Sequence, residues 1–539
     1  VRTRNYIFIL SAVALFLFFY GLGDMTLTDP DETFYAESAK EMTEANDWVT
    51  PMMLGKPQFE KPVFYYWLIM ISYKVFGVNE FAARFPSACF GLIGVIGMFF
   101  LGRAIFSPLC GLMAGLITAT SIEYLVLARA CVTDMVLAVF ILYAFLFFIL
   151  ARVNLKKRYY FLSSVMVALA VLTKGPVGLF IPVVVIGAYL FTGGRWRSFK
   201  EIPVLTCAIA FLIISLPWYI IVAKLHGSAF FDEFFGFHNF VRFIQPEHTS
   251  GISPFFYIPV IFGGFFPWSA FLPLGVWAMY RSDNFISRFP GYKLFLGLWF
   301  LTVFIFFSVS QTKLVTYIFP LFPVLSVVTA RLWERSVRKL EGVFDLPKFM
   351  AISHYLYVLM GIGAIIGVTL VINRKFPPAL PAVMVCEGIF LIGMILSLYF
   401  LLRKRRLFLF VTIAFTVVLM VLPISQRVLP AIEVYVSSKA LTDKIRELAG
   451  EGDPIGGEDD HRRGIAFYSG RKDVEDLHAY SGLVEFVARK ERVWGIIQVK
   501  HYEELKKGNK ELYTEPVLRT GKYVLITNQP YTGKSAFEK

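Results

Sequence analysis

Residues 2–32, RTRNYIFILSAVALFLFFYGLGDMTLTDPDE, set two unlike solvents side by side. Residues 6–23 carry no charge and are mostly aliphatic or aromatic. Their length suits a helix crossing a hydrocarbon core of about 30 Å. Four carboxylates then fall within nine residues, at Asp24, Asp29, Asp31 and Glu32. Arg2 and Arg4 stand before the apolar run, which puts the start of the chain on the cytoplasmic side and the acidic segment on the far side. The run lacks the small-residue cleavage site of a signal peptide and is read as a retained first helix.

The composition extends this reading to the whole chain. Of 539 residues, 57% are hydrophobic and 17% charged, against about 45–50% and about 25% in soluble domains. The 56 Phe gather in runs such as LFLFFYGLG and FIFFSVS. Five Cys, all in apolar stretches, cannot make a disulfide framework and act as small hydrophobes. The net charge of +14 sits in short basic clusters that punctuate the apolar runs. That is the pattern of a polytopic membrane protein, so nucleic acid is not expected as a partner.

At about 20 apolar residues per crossing, thirteen spans are expected. They lie near 6–23, 85–106, 109–127, 134–151, 159–173, 176–192, 203–223, 255–279, 293–309, 314–330, 350–372, 381–402 and 406–424. The fold class is a polytopic all-α bundle, residues 1–425, followed by a small α/β domain over 430–539. Alternate loops carry Arg152, Lys156 to Arg158, Arg195 to Lys200, Arg331 to Lys339 and the run RKRR at 403–406. Those loops are cytoplasmic. The intervening loops hold most of the carboxylates and face outward, the periplasm in a bacterium with two membranes.

The largest outward loop runs over 24–84. Thr28-Asp29-Pro30-Asp31-Glu32 predicts a capped helix start, with a helix to Asn46. PVFYYWLIMISYKVFG at 62–77 predicts an interfacial helix lying on membrane lipid. In the tail, SKALTDKIRELA and HYEELKKG predict helices, and GIAFYSG, VWGIIQVK and KYVLITN predict strands.

Polar residues gather at the outward face: Asp31, Glu32, Glu60, Lys61, Asp134, Lys174, His238, Arg242, Lys313 and Tyr317. Ionisable groups at a hydrocarbon boundary are costly, so their convergence points to a cavity for a polar or ionic ligand. Singly, each also has a plain structural reading. Asp31, Glu32 and Asp134 complement helix dipoles, worth about 0.3–1 kcal/mol each. Glu60 and Lys61 form a local ion pair, His238 and Arg242 share a solvated basic face, and Lys174, Lys313 and Tyr317 act as interfacial anchors.

Together they resemble a family. TDPDETFYAESAKEMTEANDWVTPMMLGKPQFEKPVFYYW at 28–67 resembles the first outer loop of bacterial GT-C lipid-linked sugar transferases. The likeness is to the lipid A aminoarabinose transferases in particular, relatives of the protein O-mannosyltransferases. VNEFAARFPS at 78–87, VLTKGPVGLFIPV at 171–183, FHNFVRF at 237–243, PFFYIPVIFGGFFPWSAFLP at 254–273 and SQTKLVTYIFPLFPVLS at 310–326 extend it in order. The resemblance implies a polyprenyl-phosphate sugar as donor and lipid A or another envelope molecule as acceptor. It implies Asp31 as the essential carboxylate, with Lys61 and Asp134 close to the reactive phosphates. Glu60 and His238 match positions that bind a metal, zinc, in one branch. Arg242 and Tyr317 match positions near the lipid phosphate, and Glu32, Lys174 and Lys313 are candidate substrate contacts. Two positions depart: Phe34 stands where the aminoarabinose branch usually has Arg, and Gln58 where Tyr is common. Either another cation fills the place of the missing Arg, or the donor or acceptor differs.

The residue types suit sugar transfer from a lipid phosphate. Charge builds on the departing phosphate, and cations such as Lys61, Arg242 and Lys174 stabilise it. Asp31 orients the acceptor and takes its proton if the acceptor is a hydroxyl; an anionic phosphate acceptor needs no strong base. One displacement inverts the anomeric centre. No Walker motif, dinucleotide fingerprint or nucleotide-sugar motif is present, so no nucleotide cofactor is expected and the donor arrives through the bilayer. A transporter of lipid-linked sugars and a protein O-glycosyltransferase remain as alternatives.

Overall fold

The computed structural model describes residues 2–192, 199–241, 253–281, 287–339 and 346–530. Each expected apolar stretch coincides with helix, but the helices differ in whether they can cross a bilayer. Among the described residues, eight are long and apolar enough, or ten if two bent pairs each count as one span. The pairs are Pro108–Ala119 with Ile122–Ala128, bent by 70°, and Tyr257–Gly264 with Trp268–Arg281, bent by 109°. Thr3–Phe19 and Val177–Phe191 are shorter apolar helices, and Arg158–Lys174 has 17 residues with a basic group at each end. Length and composition alone thus mark eight to ten of the thirteen expected spans, and the rest are shorter helices, which apolar runs in the sequence do not distinguish from full crossings.

Burial separates centre from rim. In the most apolar window of Thr133–Asn154, 72% of residues are buried, against 17% in Val204–His226 and in Leu346–Lys375. The first helix is packed on several sides, while the other two present Leu212, Ile213, Leu359 and Leu370 outward, as lipid contact requires. The two bent pairs meet at Gly264, where a Cβ would collide with the carboxylate of Glu123. Both oxygens of that carboxylate are buried without a hydrogen-bond partner among the described residues.

The outward loop folds as a helix, a hairpin and a second helix. The helix Asp31–Ala45 ends at Asn46, whose φ of 51° lies in the left-handed region that Asn tolerates. A short hairpin follows, Met52–Met53 paired with Lys56–Pro57. The backbone N–H groups of Leu54 and Gly55 at its turn donate to Glu41, at 2.6 and 3.0 Å. The helix Phe64–Phe76 packs Tyr65, Tyr66, Ile69, Met70 and Tyr73 inward and leaves Ile71, Val75 and Phe76 exposed. Apolar residues on both faces suit a helix with protein on one side and lipid on the other.

Residues 455–527 include a five-stranded mixed sheet. Ile455–Gly457 runs parallel to both Glu475–Asp476 and Trp494–Gln498, and Tyr523–Thr527 joins antiparallel between Trp494–Gln498 and Glu515–Thr520. VWGIIQVK and KYVLITN are strands, and HYEELKKG lies in the helix Val499–Gly508. GIAFYSG is not a strand: it closes the helix Asp459–Ser469. Its aromatic and branched residues favour extended backbone, but here they are the apolar side of an amphipathic helix laid along Asp31–Ala45.

That contact is polar as well as apolar. Lys40 donates to the carbonyl oxygens of Ala466 and Phe467, at 3.2 and 3.0 Å, and to Glu37 at 3.2 Å. Lys472 pairs with Glu44 at 2.8 Å. Burial pushes the Glu37 carboxyl up to about 7, against the opposing pull of Lys40. A raised carboxyl favours the folded chain while it is protonated, so this contribution is largest at low pH, falls as the pH rises, and levels off above about 7. The melting temperature of the purified protein is expected to decline across that range, and Glu37→Gln to flatten the decline. An undiminished slope in the variant would assign it to other groups.

Candidate active site

The turn before the loop helix separates two neighbouring carboxylates by environment. Glu32 is 4% exposed. Its carboxylate accepts from Arg84 Nε and Nη2 at 2.8 and 2.7 Å, from the Cys131 backbone N–H at 2.8 Å, and from the Thr28 backbone N–H and hydroxyl at 3.0 Å each. Burial raises its carboxyl, but the Arg84 guanidinium outweighs that and holds it below the usual range. Arg84 also donates to the carbonyl oxygens of Leu22, Met25 and Thr26. Glu32 is thus a structural anchor and not the substrate contact expected from sequence, because its acceptor capacity is already used inside the protein. Asp31, one residue earlier, is exposed at the first position of the helix.

Asp31 shares a helix face with Phe34 and Tyr35, three and four residues on. That face leads to two charged groups. In the first, Asp134, in the opening turn of Thr133–Asn154, pairs with Lys174 at the end of Arg158–Lys174, at 2.7 Å. The Lys174 ammonium lies 4.9 Å from the centre of the Tyr317 ring. In the second, Arg463 stands 3.7 Å from Glu60 and 4.7 Å from the centre of the Phe34 ring. Lys61 donates to the Glu60 carbonyl oxygen at 3.2 Å.

Tyr35 bridges the groups. Its hydroxyl lies 3.3 Å from Thr133 Oγ1, beside Asp134, and it is within electrostatic reach of both Asp134 and Glu60. Burial, together with Tyr66 and those carboxylates, keeps the Tyr35 hydroxyl well above the usual phenol range, so it remains a donor. Gln58, at the other departure, donates to Ser38 and Tyr66 at 3.2 and 2.9 Å and accepts from the Glu60 backbone N–H at 3.0 Å. Its amide ties the Glu60 segment to both loop helices.

Glu60, Asp134, Lys174 and Tyr317 are therefore linked through Tyr35, Lys61 joins at the Glu60 carbonyl oxygen, and Asp31 stands one turn before Tyr35 on the same helix. Lys313 is not seen joining them: it is 6% exposed and donates to Ser310 in its own loop at 2.6 Å. Arg242 and the side chain of His238 lie outside the described residues. For a metal, the described residues do not supply a site. No three His, Cys, Asp or Glu among them gather where an ion would sit, and the cation beside Glu60 is a guanidinium.

Arg463 is the residue sequence reasoning missed. It belongs to His461-Arg462-Arg463-Gly464, which docks on the Asp29–Pro30 turn. His461 Nδ1 lies 2.9 Å from Asp29 Oδ2, which also accepts from the Ser438 backbone N–H at 2.8 Å. At Gly464 a Cβ would collide with Asp29 and with the Ser438 hydroxyl, so only glycine permits this approach. The docked segment carries a guanidinium onto Phe34, the position where the resemblance leads one to expect Arg. A cation thus reaches the Phe34 ring from the C-terminal sheet region. In an assay for the sugar transfer that the resemblance implies, Arg463→Ala is expected to lower the rate about tenfold to a hundredfold while leaving the fold intact, and Arg463→Lys to recover only part, since Lys lacks the planar fork. Full activity in Arg463→Ala would remove it from the site.

A family model described as dolichyl-phosphate-mannose-protein mannosyltransferase matches residues 60–221. An undecaprenyl phosphate-alpha-4-amino-4-deoxy-L-arabinose arabinosyl transferase of Edwardsiella ictaluri is 30% identical over 369 residues, 66% of this chain and 64% of that protein. An uncharacterized protein of Aquifex aeolicus is 30% identical over 324 residues, 60% of this chain and 72% of its own length. The crystal structure of ArnT from Cupriavidus metallidurans bound to undecaprenyl phosphate superposes with a TM-score of 0.80 at 22% identity, covering 97% of this chain and 98% of that one. The chain belongs to the same family as the Aquifex protein. Its match spans just under two thirds of the Edwardsiella transferase, whereas the structural likeness covers nearly the whole chain. The fold shared with ArnT therefore includes the region that supplies His461, Arg463 and Gly464.

Proposed function

We propose that this protein is an integral membrane glycosyltransferase that moves a sugar of the 4-amino-4-deoxy-L-arabinose class from a polyprenyl phosphate to a phosphate of lipid A. The observation that carries this reading is the exposed Asp31 on a helix face that leads through Tyr35 to Asp134–Lys174 and Glu60–Arg463. An exposed carboxylate on a helix face that leads to Lys174 and Arg463 suits a reaction in which an anionic leaving group departs while an acceptor is held nearby. The names of the matching transferases support the donor and the sugar class.

In the mechanism, Lys61, Arg463, Lys174 and Arg242 attract the lipid phosphate and stabilise the charge it gains as the glycosidic bond breaks. Tyr35 and Tyr317 line the path between the two charged groups. Asp31 positions the acceptor phosphate and stabilises positive charge on the sugar ring. The acceptor oxygen attacks from the face opposite the leaving phosphate, so the anomeric centre inverts. No step passes through a metal; zinc bound by Glu60 and His238 is a separate proposal, tested by comparing the metal content of wild type and Glu60→Gln.

In the same reading the chain makes thirteen crossings of the inner membrane, with the loop over 24–84 and the sheet region over 430–539 in the periplasm. The decisive assay supplies purified protein with radiolabelled undecaprenyl-phosphate aminoarabinose and lipid A. Label appearing on lipid A is the expected result. Label on protein alone would convert the reading to protein O-glycosylation, which the matched mannosyltransferase model favours. Donor movement across liposomes without transfer to any acceptor would replace it with transport.

A further inference from the structure

A cavity of about 900 Å³ opens between the Asp29–Pro30 turn, the segment 374–377 and the C-terminal sheet. Five basic side chains line it: Arg374, Lys375, Lys500, Arg519 and Lys522. They come from three separate parts of the chain and all are exposed to solvent. None is paired with a carboxylate among the described residues. Arg519 makes only a long contact of 3.5 Å to the Gly521 carbonyl oxygen, and the Lys522 ammonium lies 4.9 Å from the centre of the Tyr523 ring. The one carboxylate on the wall, Asp29, is already held by Thr33, Ser438 and His461.

Five like charges around one cavity repel each other, and the one wall carboxylate, Asp29, is engaged by His461. The arrangement raises the local concentration of anions and is relieved when one enters. The fold holds the cations there. A Cβ at Gly521 would stand 2.8 Å from the Tyr435 ring, and its φ of +55° is one that glycine adopts without strain, so the tip carrying Arg519 and Lys522 is pinned against Tyr435. Tyr435 in turn stacks edge-on with Phe376, centroids 5.3 Å apart, next to Arg374 and Lys375.

Position narrows the class of anion. Arg374 and Lys375 close the helix Leu346–Lys375, a candidate membrane span, so the cavity lies at the depth of lipid headgroups. Its wall at Asp29–Pro30 is the backbone that leads directly into Asp31. Guanidinium and ammonium groups at this depth recognise phosphate oxygens. We propose that this cavity binds the phosphate-bearing headgroup of the acceptor lipid beside the Asp31 loop, an assignment that rests on the transferase reading above.

The test uses the full-length protein in phosphatidylcholine nanodiscs. Binding of lipid A, of lipid A stripped of its phosphates, of phosphatidylglycerol and of inorganic phosphate is measured for wild type, Arg374→Ala/Lys375→Ala and Arg519→Ala/Lys522→Ala. All four positions are exposed, so the variants are expected to fold. Lipid A should bind wild type in a salt-sensitive way, and each double variant should bind it about tenfold or more weakly. Transfer assays should show a raised KM for lipid A with kcat nearly unchanged. Variants that bind lipid A as tightly as wild type overturn the proposal, as does equal binding of the dephosphorylated lipid. Equal affinity for phosphatidylglycerol or for inorganic phosphate overturns it too, by making the cavity a general lipid contact or a free-phosphate site. Should wild type bind lipid A through these residues yet transfer no sugar to it, the transferase reading fails while the headgroup site stands. Should transfer proceed with an unchanged acceptor KM in the variants, the reverse holds.

Discussion

Asp31→Asn is expected to give a protein that folds, extracts and melts like wild type but transfers sugar at least about a hundredfold more slowly, the scale of losing a positioned acid or base. The substitution keeps size and shape and removes one charge from an exposed position at a helix start. The helix-dipole interaction that it weakens is modest, about 0.3–1 kcal/mol. The activity loss should appear in kcat more than in donor binding, because the cations that hold the donor phosphate are untouched. Retained activity in a well-folded variant would remove Asp31 from the reaction and leave the charged groups behind it without a purpose in sugar transfer.

The neighbouring pair should respond in the opposite way. Arg84→Met leaves the Glu32 carboxylate, 4% exposed, facing apolar atoms, and strips three carbonyl oxygens of their donor. Removing one member of a buried ion pair costs about 3–5 kcal/mol. The melting temperature in detergent is expected to fall by on the order of 5 °C or more, with loss of activity following loss of fold. Glu32→Gln should do less harm, since its amide oxygen still accepts one of Arg84's hydrogen bonds. A wild-type melting curve for Arg84→Met would contradict the anchoring role. Two adjacent carboxylates in one motif thus divide the work: Glu32 fixes where the helix begins, and Asp31 stands exposed at its first position.

That division was not readable from Asp31-Glu32 alone. Both residues are acidic, both sit in the first turn of a helix, and helix-dipole arguments treat them alike. What separates them is Arg84, 52 residues away, which selects one of the two by geometry. The helix start itself was legible from Pro30 and the acidic first turn, but the expected side-chain cap is not made: Pro30 stands at the capping position, with no side-chain hydrogen bond to the first turn. The Asp134–Lys174 pair shows the opposite case: both residues were singled out at the same face, but their partnership across 40 residues depends on how two helices pack. Arg463 was hidden for a further reason. Its segment was read as running into a strand, and docking against the loop helix overrode the local preference. Glu123 had a signal that went unused, a carboxylate inside an apolar stretch, which in a bilayer marks a break or a site.

The clasp between Asp29 and His461 joins residues 432 positions apart. During synthesis the Asp29 turn that leads into Asp31 leaves the ribosome 432 residues before the His461 that seats it. A nascent or prematurely terminated chain in the bilayer would carry the reactive carboxylate but lack its guanidinium and its fastening. Emergence of the segment from His461 to Gly464 thereby becomes the event that seats the loop, and a chain halted before Ser438 should lack both the fastening and the guanidinium even when its helices insert correctly.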